Sequence, residues 1–195
     1  MLRAISVLLA LVFAAHWWVS ERPIARPPGV VAPDDPRQQD LADGPTFELP
    51  GHHLKALARF SLEARVLGAE RYRFDRGARL APIDLALGWG PMSSNGVLDA
   101  LSIEQYGRFY FWSARELPID FAEITLHSAN MHMIPASSEV REALLSARRG
   151  NIVSLDGYLV EVTGDDGFRW RSSLSRGDSG GGACEVVYVE RLGLY

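Results

Sequence analysis

From Gly150 to Glu190 the chain reads GNIVSLDGYLVEVTGDDGFRWRSSLSRGDSGGGACEVVYVE, three strand-like runs parted by glycine-rich turns. No stretch leaves less choice of secondary structure. Ile152–Thr163 is apolar on both alternations, with Ile152, Tyr158, Val160 and Val162 on one and Val153, Leu155 and Leu159 on the other. Gly157 in its middle predicts a bulge or corner where the buried face changes. Gly164-Asp165-Asp166-Gly167 predicts a hairpin turn. After it, Phe168, Trp170 and Ser172 share one side of a short strand. Cys184–Val189 is the last expected strand, and the segment before it, through Gly182, reads as the long loop of a β-hairpin.

The chain upstream supplies further strands and one well-punctuated helix. Ala58, Phe60, Leu62, Ala64 and Val66 alternate with Arg59, Ser61, Glu63 and Arg65, the period of a half-buried strand. Arg108–Trp112 is an aromatic run suited to a strand, and Phe121–Leu126 predicts another. Pro82–Pro91 reads as a packed loop with a short ordered run, His127–Pro135 as a loop, and Ser93 or Ser94 as the cap of a brief helix through Leu101. A helix after Ser137 or Ser138 has Glu139 in its first turn and Val140, Leu144 and Ala147 on one face. Arg148 and Arg149 fall in its last turn and Gly150 is its stop. Together these predict an α+β, β-rich fold: a small OB-like antiparallel β-barrel with one or two short helices. Such an analogy carries no function with it.

At 195 residues and 47 % hydrophobic content, the chain holds one ordinary domain and a non-globular segment. Met1 to Val19 is apolar after Arg3 apart from Ser6 and His16, a length between a signal peptide and a membrane span. Val12-Phe13-Ala14 resembles a cleavage site, but Trp17 and Trp18 suit the membrane–water interface and favour an uncleaved anchor. Pro23, Pro27, Pro28, Pro33, Pro36, Pro45 and Pro50 then stud a stretch with no apolar period, which predicts a disordered stalk. The expected organisation is residues 1–20 as anchor, 21–50 as proline-rich linker and 51–195 as a single domain. It would be a single-pass inner-membrane protein with its domain in the periplasm or outside.

The sharpest motif is Gly177-Asp178-Ser179-Gly180-Gly181, which resembles the nucleophile string of chymotrypsin-like serine proteases. Such enzymes need a histidine base, a buried aspartate and an oxyanion hole. Only sixteen residues follow Ser179, too few for the strands of a specificity pocket. Ala14-Ala15-His16 matches the text around such a protease's histidine but is embedded in the apolar N-terminal segment. We therefore reject the protease and read four glycines with Asp178 and Ser179 as a turn.

His127 and His132, with Asn130 between, are the remaining catalytic or metal candidates. Their spacing of five meets neither the helical nor the same-face strand requirement for a zinc pair. Cys184 is the only cysteine, so neither an intrachain disulfide nor a cysteine-built zinc site can form. Tyr110 and Arg108 within the aromatic run, Trp170 beside Arg171, Trp89 and Asn130 are candidates for ligand contact by stacking or hydrogen bonding. A net charge of −4 offers no basic footprint for nucleic acid. No cofactor is expected.

Gly88-Trp89-Gly90-Pro91-Met92, Ser128–Pro135, Gly157-Tyr158-Leu159-Val160 and Trp170-Arg171-Ser172-Ser173 together resemble a group of bacterial membrane-anchored hypothetical proteins. The resemblance covers roughly residues 52–195 and implies a single domain, with no activity attached. The expected function is an extracytoplasmic binding or assembly module, held at the membrane by its N-terminal helix and meeting a protein partner in the envelope. One alternative is a hydrolase using His127, Asn130 and His132, with Asp84 or Ser179. The other is an OB-type oligonucleotide or glycan binder, which requires an exposed aromatic face at Arg108–Trp112.

Overall fold

The computed structural model describes residues 22–177 and 183–195. The expected N-terminal anchor and Ser179 lie outside the described residues. Ten strands form: β1 (Arg37–Asp40), β2 (Thr46–Leu49), β3 (His52–Arg71), β4 (Ile83–Gly88), β5 (Ser102–Tyr106), β6 (Phe109–Ser113), β7 (Ser128–Pro135), β8 (Ile152–Gly164), β9 (Arg169–Arg171) and β10 (Glu185–Leu194). Among the described residues three short α-helices accompany them, α1 (Asn95–Leu98), α2 (Phe121–Leu126) and α3 (Ser138–Ser146), with a 3-10 turn at Gly90–Ser93.

The 20-residue β3 organises the sheet. One of its edges pairs with β8 from His52 to Arg65. Its other edge takes β2, β1 and β4 in succession, and at Arg65 it pairs with Ile152 and Gly88 at once. From β4 the ladder continues through β7 and β10 to β8, with β7 and β10 parallel. The closed antiparallel OB-like barrel expected from the sequence is not what forms. A curled mixed sheet forms instead, with β1, β2 and β9 each paired on one side only. β9 and β10 do not make a hairpin with each other, because both lie along the same edge of β8.

The face change expected in β8 occurs two residues beyond Gly157. Leu155 and Leu159 enter the main core, whereas Val160 and Val162 enter a second cluster on the opposite face. An extra residue in β3, Leu57, takes up the shift between Ala56↔Val160 and Ala58↔Leu159. The main core lies inside the curl, where Phe60, Ile83, Leu85, Met131, Met133 and Val187 are buried. The helix α3 closes it with Val140, Leu144 and Ala147, as its sequence period predicts. Ser137 caps α3 by accepting the Val140 N–H at 3.3 Å.

Four local expectations are corrected. Phe121–Leu126 is a helix rather than a strand, so that Ile124 alone is buried while Phe121 and Leu126 face out. In Pro82–Pro91 the short ordered run takes up most of the segment, as the fully buried strand β4, rather than sitting inside a packed loop. Residues 128–135 are a central strand rather than a loop. Their polar residues, Asn130 and His132, mask the alternation because they too are buried, on the outer face.

The fourth concerns residues 22–50, which are part of the domain and not a disordered stalk. Ala32 is fully buried, its N–H bound to Ser93 Oγ at 3.1 Å, and Ile24 N–H donates to Arg149 O at 2.9 Å. Leu41 and Pro45 exchange main-chain bonds with Leu57 and Ala56. Ser93 thus anchors this segment and caps no helix.

Candidate partner-binding site

The strands β5 and β6 form a separate two-stranded hairpin lying over the outer face of the sheet. Tyr106 pairs with Phe109 across a two-residue turn in which Gly107 and Arg108 have φ of +59° and +71°. Both central residues being left-handed makes it a type I′ turn, whose twist matches that of the strands. Arg108 bears the conformational cost of a side chain there.

The Arg108 side chain accounts for that placement. Its Nη1 donates to Asp84 Oδ1 at 2.7 Å and to Ala81 O at 2.9 Å, while Nε and Nη2 grip Asp75 at 3.0 and 2.8 Å. The guanidinium also lies 3.7 Å from the centre of the Tyr72 ring. Burial works against the Arg108 charge, but Asp75 and Asp84 outweigh it and raise its pKa. Burial, with the charge of Asp84, pushes the Tyr72 hydroxyl up to about 12.

Asp84 is fully buried and also faces His132, whose Nδ1 lies 2.9 Å from Oδ2. That is an ion-pair distance without good hydrogen-bond angles. Their strands pair at this very position, Asp84↔His132. Asn130, two residues along β7 and on the same face, accepts from Gln105 Nε2 at 2.7 Å and donates to Arg108 O at 3.1 Å. Gly68 gives the hairpin room, since a Cβ there would stand 2.3 Å from Gln105 Oε1. The hairpin is thus pinned at its tip and along β5 by a buried polar network.

Pinning divides its side chains between two faces. Ile103, Tyr110 and Trp112 turn inward onto Leu67, Leu98 and Ile124. Tyr106, Phe109 and Phe111 point to solvent, 61 %, 43 % and 40 % exposed. Tyr106 and Phe111 stack with centroids 4.4 Å apart. Beside them Phe121, also exposed, leans on Trp112 at 5.5 Å. Between β6, α2 and the start of β7 opens a cleft of about 210 Å³. Its polar lining includes Asn130, Ser128, Arg176 and Glu185, with Arg176 Nη1 held 2.8 Å from Glu185 Oε1. Burial raises the pKa of Tyr110, which lines the same cleft and donates to Ser128 Oγ at 3.3 Å.

The candidates read from sequence are distributed as follows. Asn130, Arg108 and Tyr110 belong to this site, and His132 lies beneath it in contact with Trp170, centroids 4.4 Å apart. Arg171 is on the surface, bound to Glu161 at 2.7 Å. Trp89 is core, 1 % exposed, and its indole N–H meets no acceptor among the described residues. His127 does not join His132: five residues of extended chain separate them by roughly 16 Å, and His127 is held by Glu123 O at 2.9 Å. Among the described residues no three His, Cys, Asp or Glu side chains gather to hold a metal. Asp75 and Gln105 went unnoticed in the sequence. The two-residue turn flanked by alternating aromatics was the available signal, hidden because Gly-Arg is an unusual I′ pair.

No family model matches the chain, and no curated protein or solved structure matches it either.

Proposed function

We propose that the protein is a binding or assembly module that engages a protein partner through Tyr106, Phe109, Phe111 and the adjoining cleft. Residues 1–20 would hold it at the membrane with the domain on the periplasmic side. The observation carrying this reading is the row of three solvent-facing rings on a hairpin whose other face is fixed to the sheet. Exposed aromatics on a rigid support lose little conformational entropy on binding. The charges around them select the partner. Between Ser102 and Leu126 the exposed charged residues are Glu104, Glu116, Asp120 and Glu123 against Arg115 alone. An acidic rim disfavours an anionic lipid surface or a nucleic-acid backbone and favours a cationic, apolar protein segment.

A photo-crosslinking residue at Phe111 tests this in membranes of the native host. It should trap a discrete partner that the same probe at Tyr195 does not, and Tyr106→Ser with Phe109→Ser should abolish the adduct without lowering Tm. Adducts that survive the double substitution would refute the assignment.

A further inference from the structure

A second site lies at the other end of the hairpin's core, where the N-terminal segment joins the domain. Pro23–Arg26, Arg65, Asn95, Leu98, Asp99 and Arg149 line an open cavity of about 360 Å³. Arg65 is only 9 % exposed. Its Nη1 donates to Ser93 O at 3.0 Å and Asn95 Oδ1 at 2.6 Å. Among the described residues no carboxylate pairs with it, and only Nη1 is hydrogen-bonded, while Nε and Nη2 are not sealed off and remain open to the cavity. Arg26 reaches in from the N-terminal segment, with Nε on Gly150 O at 2.6 Å and Nη2 on Tyr195 O. The exposed Arg149 makes no ion pair among the described residues. Against three guanidiniums stands one lining carboxylate, Asp99.

A largely covered guanidinium with no carboxylate beside it keeps a poorly compensated charge, and its Nε and Nη2 are left to bond whatever fills the cavity. Holding the Ser93–Asn95 turn explains one of its nitrogens and leaves the rest. Burial, then the charges of Arg149 and Arg26, lowers the Arg65 pKa, so the cluster is self-repelling as it stands. An anion with several oxygens at one centre would satisfy the free donors and cancel that repulsion.

We propose that Arg26, Arg65 and Arg149 form a binding site for a phosphate-bearing anion. Arginine's planar fork suits phosphate oxygens in pairs. Pro23–Arg26, which line the cavity, follow the apolar run Ala4–Val19 after only Ser20, Glu21 and Arg22. A phospholipid headgroup is therefore within reach, as is free phosphate, and both present the same chemistry.

The test uses the full chain in neutral detergent micelles, with ³¹P line broadening and Tm as readouts. One arm adds inorganic phosphate; a second adds phosphatidylglycerol to the micelles. Arg149→Gln should weaken binding at least about fivefold while the ligand-free Tm holds or rises, because a like charge beside Arg65 is removed. Arg65→Lys should weaken it although the charge is kept, because the fork is lost. If Arg65→Lys does not fold, Arg149→Gln decides alone. Response to phosphatidylglycerol and not to phosphate assigns the headgroup. Response to both, or to phosphate alone, assigns the free anion. No response in either arm, or one that Arg149→Gln leaves unaltered, overturns the site.

Discussion

Asp84 is the fully buried junction of the network, because Arg108 and His132 both meet it inside the fold. Asp84→Asn keeps the shape and removes the charge. It should cost about 3–5 kcal/mol, the usual penalty for breaking a buried pair, whereas Asp75→Asn, at the wetter end of the same arginine, should cost about 1 kcal/mol or less. Denaturant unfolding of the two variants checks the order, and equal costs would contradict the network as drawn. Tyr72 adds a pH signature. Its folded pKa of about 12 lies above the ordinary tyrosine value of about 10, so the folded state holds this proton more tightly. Its contribution is complete below pH 10 and is lost as pH rises from 10 to 12. Tyr72→Phe should flatten the fall of Tm across that window. None of this pairing was legible in the sequence. Asp84 and His132 meet by strand register and Arg108 arrives from a hairpin, so residues far apart in the text converge. Trp89 failed in the opposite direction: an aromatic in a Gly-rich stretch looks like a loop contact, and only burial places it in the core.

The elements most readily read were those with an uninterrupted period. The β3 alternation from Ala58 to Val66 and the α3 face of Val140, Leu144 and Ala147 both end in the main core. The central strand β7 was obscured because its outward residues, Asn130 and His132, are polar yet buried under the hairpin. Phe121–Leu126 misled through its β-branched residues, which the burial of Ile124 in the cluster with Leu67, Met92 and Leu98 overrides. The aromatic run was read as a strand, but its division into Phe109 and Phe111 outside and Tyr110 and Trp112 inside needed the register. Gly157 was recognised as special, and the structure supplies the reason. A Cβ there would sit 2.0 Å from Tyr188 O on β10. Gly157→Ala must push β8 and β10 apart. It should destabilise by about 1–3 kcal/mol through overpacking, with hydrogen exchange accelerating first at Tyr188 and Val189. Protection unchanged at those amides would mean that the strands yield freely.

At the scale of the whole molecule, the segment before His52 decides what counts as the domain. Its prolines and lack of period gave it the text of a spacer, and composition cannot reveal that a neighbouring strand edge will order it. In the fold, β1 and β2 cover the edge of β3 opposite β8, and Ala32 is sealed beneath Ser93. A chain begun at His52 would expose that edge over His52–Ser61 and uncover apolar surface around Leu54, Ala56 and Phe60. Unpaired edges of this kind seed aggregation. Such a truncation should express as soluble aggregate or unfold well below a chain begun at Arg22. Trypsin gives the same answer without a truncation. Arg37 lies in the β1 ladder opposite Ser61, so native protein should resist cleavage after it until global unfolding. A spacer would be cut there at once, leaving an intact core fragment, and that outcome would return residues 22–50 to the role of a tether.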